Sequence, residues 1–339
     1  MGPGLSAGKP VQVYASGKLA EVQVAGQVVL ANPVQMKRLG SGRHTDRVDA
    51  EMLAKMLMLG TLPTVWVPPQ EVREMRALLS HREGLVKQRT RYQNQAKAVL
   101  RRNGYPLDKN VDVRTWLRTC AEDLQLGAAD LAILMSTIRM LDAVDEEIRA
   151  TEAEISQRAL DKPQVQLLMS ITGVGLVAAS VIWARIGNPW RFHSAKAVSR
   201  YAGLDPSVHQ SGEKNHRGRI SKNGAADLRR VLVQAAYQVA IHDLGSLGAF
   251  FRRKQEHLGR KRAVIATARK LLIVAWKIML TGEPYRSCKA MRYKEKFRAL
   301  RRHAARRPHD LDAALEEVLC KTHSPSPESN CKPSKVHVA

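Results

Sequence analysis

Two stretches of the chain repeat their apolar positions every seven residues, which predicts two long helices packed on one another. The first runs from about Gln70 to Asn103. It carries Leu78, Leu85, Tyr92 and Val99, with Val72, Leu79, Val86 and Leu100 as an adjacent stripe. The second runs from about Ala129 to Leu160 and carries Leu134, Leu141, Ile148 and Ile155. The first helix is basic beside its seam (Arg73, Arg76, Arg82, Lys87, Arg89, Arg91) and the second acidic (Asp142, Asp145, Glu146, Glu147, Glu152, Glu154). Opposite charge along an apolar seam favours a helical hairpin or coiled coil over residues 70–162. Packing accounts for these stripes without a ligand.

Before the hairpin, the pattern over residues 1–69 is mixed. Val11 and Val13 alternate with polar neighbours as in a strand, Leu19–Ala25 reads as a short helix, and Val28–Leu30 as a second, buried strand. Thr45 is a good N-cap for a helix over about Asp46–Leu59 that Gly60 ends. Thr64–Val67 is extended and stopped by Pro68-Pro69. After the hairpin, residues 163–285 predict helices at 165–170, 175–186, 194–202, 224–242 and 260–281. Residues 286–339 read as a basic segment and a disordered tail. The fold class expected is α/β plus all-α.

Charge changes this picture. Among 339 residues, 55 Lys and Arg face 31 Asp and Glu, a formal net charge of +24. A polyanion is the partner such a charge predicts, because neutralising phosphates releases condensed counterions. A helical scaffold with merely solvating charge is the competing reading. The charge clusters, however: Tyr285–Arg307 holds ten Lys and Arg against the single acid Glu295. The cysteines Cys120, Cys288, Cys320 and Cys331 have no metal-site spacing. No apolar run approaches the roughly 20 residues that span a bilayer. A reduced cytoplasmic, nucleoid-associated protein is the expectation.

Three places carry candidate chemistry. Asp46 and Asp49, three apart at a helix start, share one face and can hold Mg²⁺. Equally, acids in a first turn simply complement the helix dipole. Ile171-Thr172-Gly173-Val174-Gly175 has the shape of a helix-hairpin-helix turn, where Gly173 and Gly175 let backbone approach a phosphate. An ordinary turn between helices fits the spacing as well. The stretch Ser211–Gly224 is a polar, glycine-punctuated loop with four cations, Lys214, Arg217, Arg219 and Lys222. Such loops grip phosphate backbones. Ser211 stands beside these cations, as an attacking hydroxyl requires, though a loop serine more often makes a local hydrogen bond.

At these residues the chain resembles the transposases of the insertion sequence 110 group, relatives of the Piv DNA invertase. The matching pieces are, in order, Val28–Pro33, Thr45–Ala50, Val65–Pro69, the basic helix to Gly104, Ile171–Gly175, Tyr201–Leu204, Ser211-Gly212 and Gly218–Lys222. The resemblance implies a RuvC-like (RNase H) first domain with a DEDD carboxylate tetrad for Mg²⁺. It implies a helical second domain supplying a serine nucleophile. It also implies a non-coding bridge RNA that guides the protein to double-stranded DNA, and a homo-oligomer. Asp46 and Asp49 match the last two tetrad positions and Ser211 the nucleophile.

The chain also departs from that pattern. No Asp precedes Asp46, and Tyr14 stands where the family's Glu belongs, in Tyr14-Ala15-Ser16-Gly17. The expectation is a partial, N-terminally shortened RuvC-like domain. The alternative to an active transposase is a catalytically inactive remnant that only binds nucleic acid.

Overall fold

The computed structural model describes residues 11–14, 27–32, 35–36, 45–108, 110–120, 124–211 and 214–305. Side chains are not described at 11–14, 27, 28, 208–211, 214–217 and 219. The described residues are mostly helical, with two two-stranded sheets. The chain divides into two compact units, residues 1–70 and 71–339.

In the first unit, β1 (Val11–Tyr14) and β2 (Gln27–Leu30) pair in parallel, Val11 opposite Gln27 and Tyr14 opposite Leu30. Parallel neighbours need a crossover of about a dozen residues or more. The helix expected over Leu19–Ala25 lies outside the described residues. The extended run after Leu62 is not a strand. It touches the sheet at one isolated bridge, Ala31 to Thr64, because Pro68-Pro69 cuts it short. Helix α1 (Asp46–Met58) begins where Thr45 predicts: its Oγ1 accepts from the Val48 N–H at 3.4 Å. Met52, Leu53, Met56 and Leu57 of α1 pack on buried Ala31, Met36 and Leu62.

In the second unit, α2 (Gln70–Arg102) and α4 (Ala128–Leu160) form an antiparallel hairpin. Its ion pairs run in reversed order along the two helices. Glu71 meets Lys162, Glu74 meets Arg158, Arg82 meets Glu152, Arg89 meets Asp145, and Arg102 meets Asp130. Leu134, Leu141, Ile148 and Ile155 of α4 are buried, as their spacing predicts. On α2 the buried row is Val72, Met75, Leu79, Leu85, Ala96, Val99 and Leu100. Leu78 and Tyr92 are only half-buried. A straight helix drifts about 20° per heptad, so contact passes from one row to its neighbour. Helix α3 (Val113–Cys120), which no pattern predicted, closes the far end with Val113 and Trp116 against Ala96, Val99, Leu100 and Leu134.

Beyond the hairpin come α5 (Pro163–Leu168), α6 (Leu176–Ile186), a 3₁₀ turn at Pro189–Arg191, and α7 (Ala195–Tyr201). Then follow β3 (Pro206–Ser211), β4 (Lys214–Ile220), α8 (Ala226–His242), α9 (Ser246–Thr281) and α10 (Ala290–Ala304). The polar stretch expected as a loop is therefore largely a β-hairpin. Its strands lack an apolar face to announce them, and only the two-residue Gly212-Glu213 connection gives a hairpin signal. Helix α9 bends at Gly259 into two arms, of which only the second was predicted. The basic segment after Tyr285 is helical over α10.

Candidate nucleic-acid interface

The β3–β4 hairpin puts Ser211 at its tip, directly opposite Lys214. Val208 stands opposite Arg217 and Pro206 opposite Ile220, with a register shift between Pro206 and Val208. Lys222 follows β4 at φ 56°, the only described non-glycine residue with positive φ. Its N–H donates to the Gly203 carbonyl at 3.2 Å. The root of the hairpin is a close crossing of two backbone segments. The Ser221 N–H donates to the Asp205 carbonyl at 2.8 Å, and its Oγ donates to Asp205 Oδ1 at 2.6 Å. Arg229 donates to the Ala202 carbonyl at 3.1 Å. A Cβ on Gly224 would lie 2.2 Å from the Tyr201 carbonyl oxygen, so only glycine permits this approach. Sequence reasoning missed Asp205 and Arg229 as residues that hold the hairpin. The paired Gly203 and Gly224 were the available signal.

The two glycines of the Ile171–Gly175 turn differ. Gly173 has φ 80°, and a Cβ there would sit 2.6 Å from the Ala235 carbonyl oxygen. Its missing side chain serves the packing of α8 against the turn. Gly175 is the N-cap of α6, with extended backbone and nothing within 4 Å of a Cβ position. Gly175, Leu176, Val177 and Ala178 line a cavity of about 690 Å³ that Tyr237 and Lys296 also border. The Lys296 ammonium, reaching in from α10, donates to the carbonyls of Met169, Ile171 and Val174, each at 2.8 Å. Burial pushes its pKa down to about 8.

Asp46 and Asp49 lie in the first turn of α1, in the first unit, with Asp46 exposed and Asp49 half-buried. No group of three or more His, Cys, Asp or Glu able to hold a metal occurs among the described residues. In sequence, Glu21 is the only carboxylate before Asp46. Magnesium demands near-octahedral oxygen ligation. Asp46 and Asp49, from one helical turn, do not by themselves fit such a centre.

Several cations of the hairpin helices, Arg82, Arg89, Arg102 and Arg158, are engaged by carboxylates of the facing helix. Beyond the pairs already named, Arg114 joins Asp112, Asp142 and Asp145, and Arg230 of α8 pairs with Glu83. Arg76 and Arg191 donate to the last carbonyls of α6, those of Ala184, Arg185 and Ile186. Cations at a helix C-terminus also complement its dipole.

Two stretches match known family models. Residues 165–252, from α5 through the β-hairpin into α9, match the Transposase IS116/IS110/IS902 family. Residues 18–104 match a DEDD transposase model of the IS110 group. The chain belongs to the IS110 family of transposases. It is 28% identical over 271 residues to a "Transposase for insertion sequence element IS1111A" of Coxiella burnetii, covering 76% of this chain and 72% of that one. It is 26% identical over 263 residues to a "Transposase for insertion sequence element IS1328" of Yersinia enterocolitica, covering 77% and 79%. A "Pilin gene-inverting protein" of Moraxella bovis is 28% identical over 270 residues, covering 76% and 74%. As an IS110-family transposase the chain is by family a DNA-binding enzyme of transposition and recombination. The DEDD family model implies use of a divalent metal, to which the described residues bring an incomplete carboxylate set. No helix among the described residues is long and apolar enough to cross a membrane.

Proposed function

We propose that this transposase grips duplex DNA with its second unit and cuts and rejoins strands through Ser211. The Ser211 Oγ attacks a phosphodiester phosphorus, a P–O bond to deoxyribose breaks, and the departing oxygen takes up a proton. Rejoining is the reverse, with a different strand end as nucleophile. The observation that carries this reading is the placement of Ser211 at the tip of a hairpin whose second strand bears Lys214, Arg217 and Arg219. Cations fixed near a phosphate stabilise charge that develops on its oxygens. The crossing at Gly203 and Gly224 supports a fixed presentation of that tip. The N-terminus of α6 at Gly175, open to a large cavity, supports a second backbone contact of the helix-hairpin-helix kind.

In this reading residues 1–69 belong to a RuvC-like domain, supported by the parallel β1–β2 pair followed by a helix that starts with Asp46 and Asp49. Residues 70–162 are the hairpin, 163–285 the transposase domain and 286–339 a basic extension. The +24 charge supports a guide RNA as a second polyanion, and strand exchange between two duplexes is suited to a homo-oligomer. The short carboxylate set favours a second reading, in which the chain binds DNA but recombines little.

The test is covalent adduct formation with end-labelled duplex on a denaturing gel, beside binding measured under native conditions. Adduct in the native chain and none in Ser211→Ala, with binding retained in both, establishes the first reading. Binding without adduct establishes the second. An adduct that survives Ser211→Ala places the nucleophile elsewhere.

A further inference from the structure

The bend in α9 is unlike any other helical segment of the second unit. From Arg252 to Arg262 no residue is buried, while Phe251 and Ala263 on either side are. A helix lying on a core buries a residue every three or four positions. Over these three turns every residue but the half-buried Lys254 is exposed, so the end of the first arm and the start of the second stand clear of the body as an elbow.

The elbow is strongly basic. It contains Arg252, Arg253, Lys254, Arg260, Lys261 and Arg262 against the single acid Glu256. Arg252 donates to the Asp243 carbonyl at 3.3 Å, anchoring the first arm. Among the described residues Arg253, Arg260, Lys261 and Arg262 have no carboxylate partner. On the hairpin helices, by contrast, Arg82, Arg89, Arg102 and Arg158 each meet a carboxylate of the facing helix. Arg260, Lys261 and Arg262 moreover occupy the first turn of the second arm, where free N–H groups and the positive end of the dipole already repel cations. An isolated chain gains nothing from that arrangement, whereas phosphate groups would relieve the repulsion.

The bend is fixed by one residue. Gly259 has φ 72° and ψ 162°, a region open essentially to glycine alone. A Cβ there would meet nothing within 4 Å, so the backbone angle itself is what requires glycine. An amphipathic membrane helix would need a broad apolar face, and among these residues only Leu258 is a large exposed apolar side chain. The match to the family model ends at residue 252, just as the elbow begins.

We propose that this elbow is a second nucleic-acid contact, separate from the β3–β4 hairpin, that clasps the phosphate backbone of a duplex between its two arms. The proposal rests on the DNA-binding reading and assigns phosphate contacts to Arg253, Arg260, Lys261 and Arg262.

The experiment measures fluorescence anisotropy of a labelled duplex with the full chain across a salt series. Each phosphate contact contributes about 0.9 to the slope of log K against log salt. The triple variant Arg260→Ala, Lys261→Ala, Arg262→Ala is expected to lower that slope by about 2 to 3, with an unchanged circular dichroism spectrum. The charge-conserving pair Arg260→Lys, Arg262→Lys should keep the native slope. Gly259→Ala, which retains every charge, should weaken binding at low salt by about tenfold as the arms lose their fixed angle. A triple variant with the native slope overturns the elbow while leaving the DNA reading in place. So does a triple variant that loses only its binding to anionic lipid vesicles. A native chain whose duplex binding ignores salt removes both.

Discussion

The hairpin α2–α4 and the elbow of α9 are both rich in arginine and lysine, yet the protein uses these residues in opposite ways. On the hairpin Arg82, Arg89, Arg102 and Arg158 face carboxylates of the opposing helix, and Arg76 caps the end of α6. They hold the second unit together. At the elbow Arg253, Arg260, Lys261 and Arg262 face solvent, beyond the last buried residue of each arm. Net charge cannot tell these regions apart. What separates them is whether an acid lies within reach, and that depends on which helix the fold brings alongside. The same split appears at single residues: Gly173 is required by α8 and Gly175 is not, and Lys296, in the most basic segment of the sequence, is turned inward onto three carbonyls.

The sharpest test of this contrast is at the glycine turn. Gly173→Ala places a Cβ against the Ala235 carbonyl and forces a left-handed alanine, so a loss of about 4 kcal/mol in unfolding free energy is expected. Urea denaturation measures it, and a near-neutral result would mean the turn is not packed on α8 as described. Next in size is Lys296→Met. Three carbonyls lose a charged donor, and hydrogen bonds to charged groups are worth about 1.5–3 kcal/mol. A melting temperature equal to that of the native chain would show that the ammonium does not organise the turn.

Arg114→Ala separates structural from ligand-facing charge. It leaves Asp112 and Asp142 without their cation and Asp145 with Arg89 alone, in a partly exposed network for which about 1–2 kcal/mol is a reasonable loss. The salt slope of DNA binding should not change, the reverse of the elbow variant. A shallower slope in Arg114→Ala would erase the distinction between the two regions.

A smaller effect is expected with pH. The guanidinium of Arg230 beside Glu83, with Lys87 adding to it, holds this carboxyl down at about 2 against an ordinary 4.5. A depressed carboxylate pKa contributes stability that is present above the unfolded value and lost as pH falls through the folded one. The stability gap between the native chain and Glu83→Gln should therefore close between about pH 4.5 and about pH 2. A gap constant over that range would show that the pair contributes nothing. Smallest of all is Gly175→Ala, expected to change stability by no more than about 0.5 kcal/mol. A clear loss of DNA affinity in that variant, without loss of stability, would point to phosphate contact at the start of α6.

Much of this architecture is legible in the sequence because it rests on local rules. Seven-residue spacing places the hairpin helices, the Thr45 cap starts α1 with Asp46 and Asp49 in its first turn, and opposite charges predict the pairing of α2 with α4. The ordered motifs from Val28 to Lys222 point to the transposase family, which the family matches bear out. Tertiary structure alone decides the rest. The polar stretch after Asp205 is a β-hairpin because backbone pairing needs no apolar face, and its root depends on two segments meeting at Gly203 and Gly224. Which glycine is needed for packing, which lysine turns inward and which arginines remain without an acid are questions of distance between residues far apart in sequence. Composition counts charges one by one, whereas their use is set by neighbours, and only the folded chain supplies those.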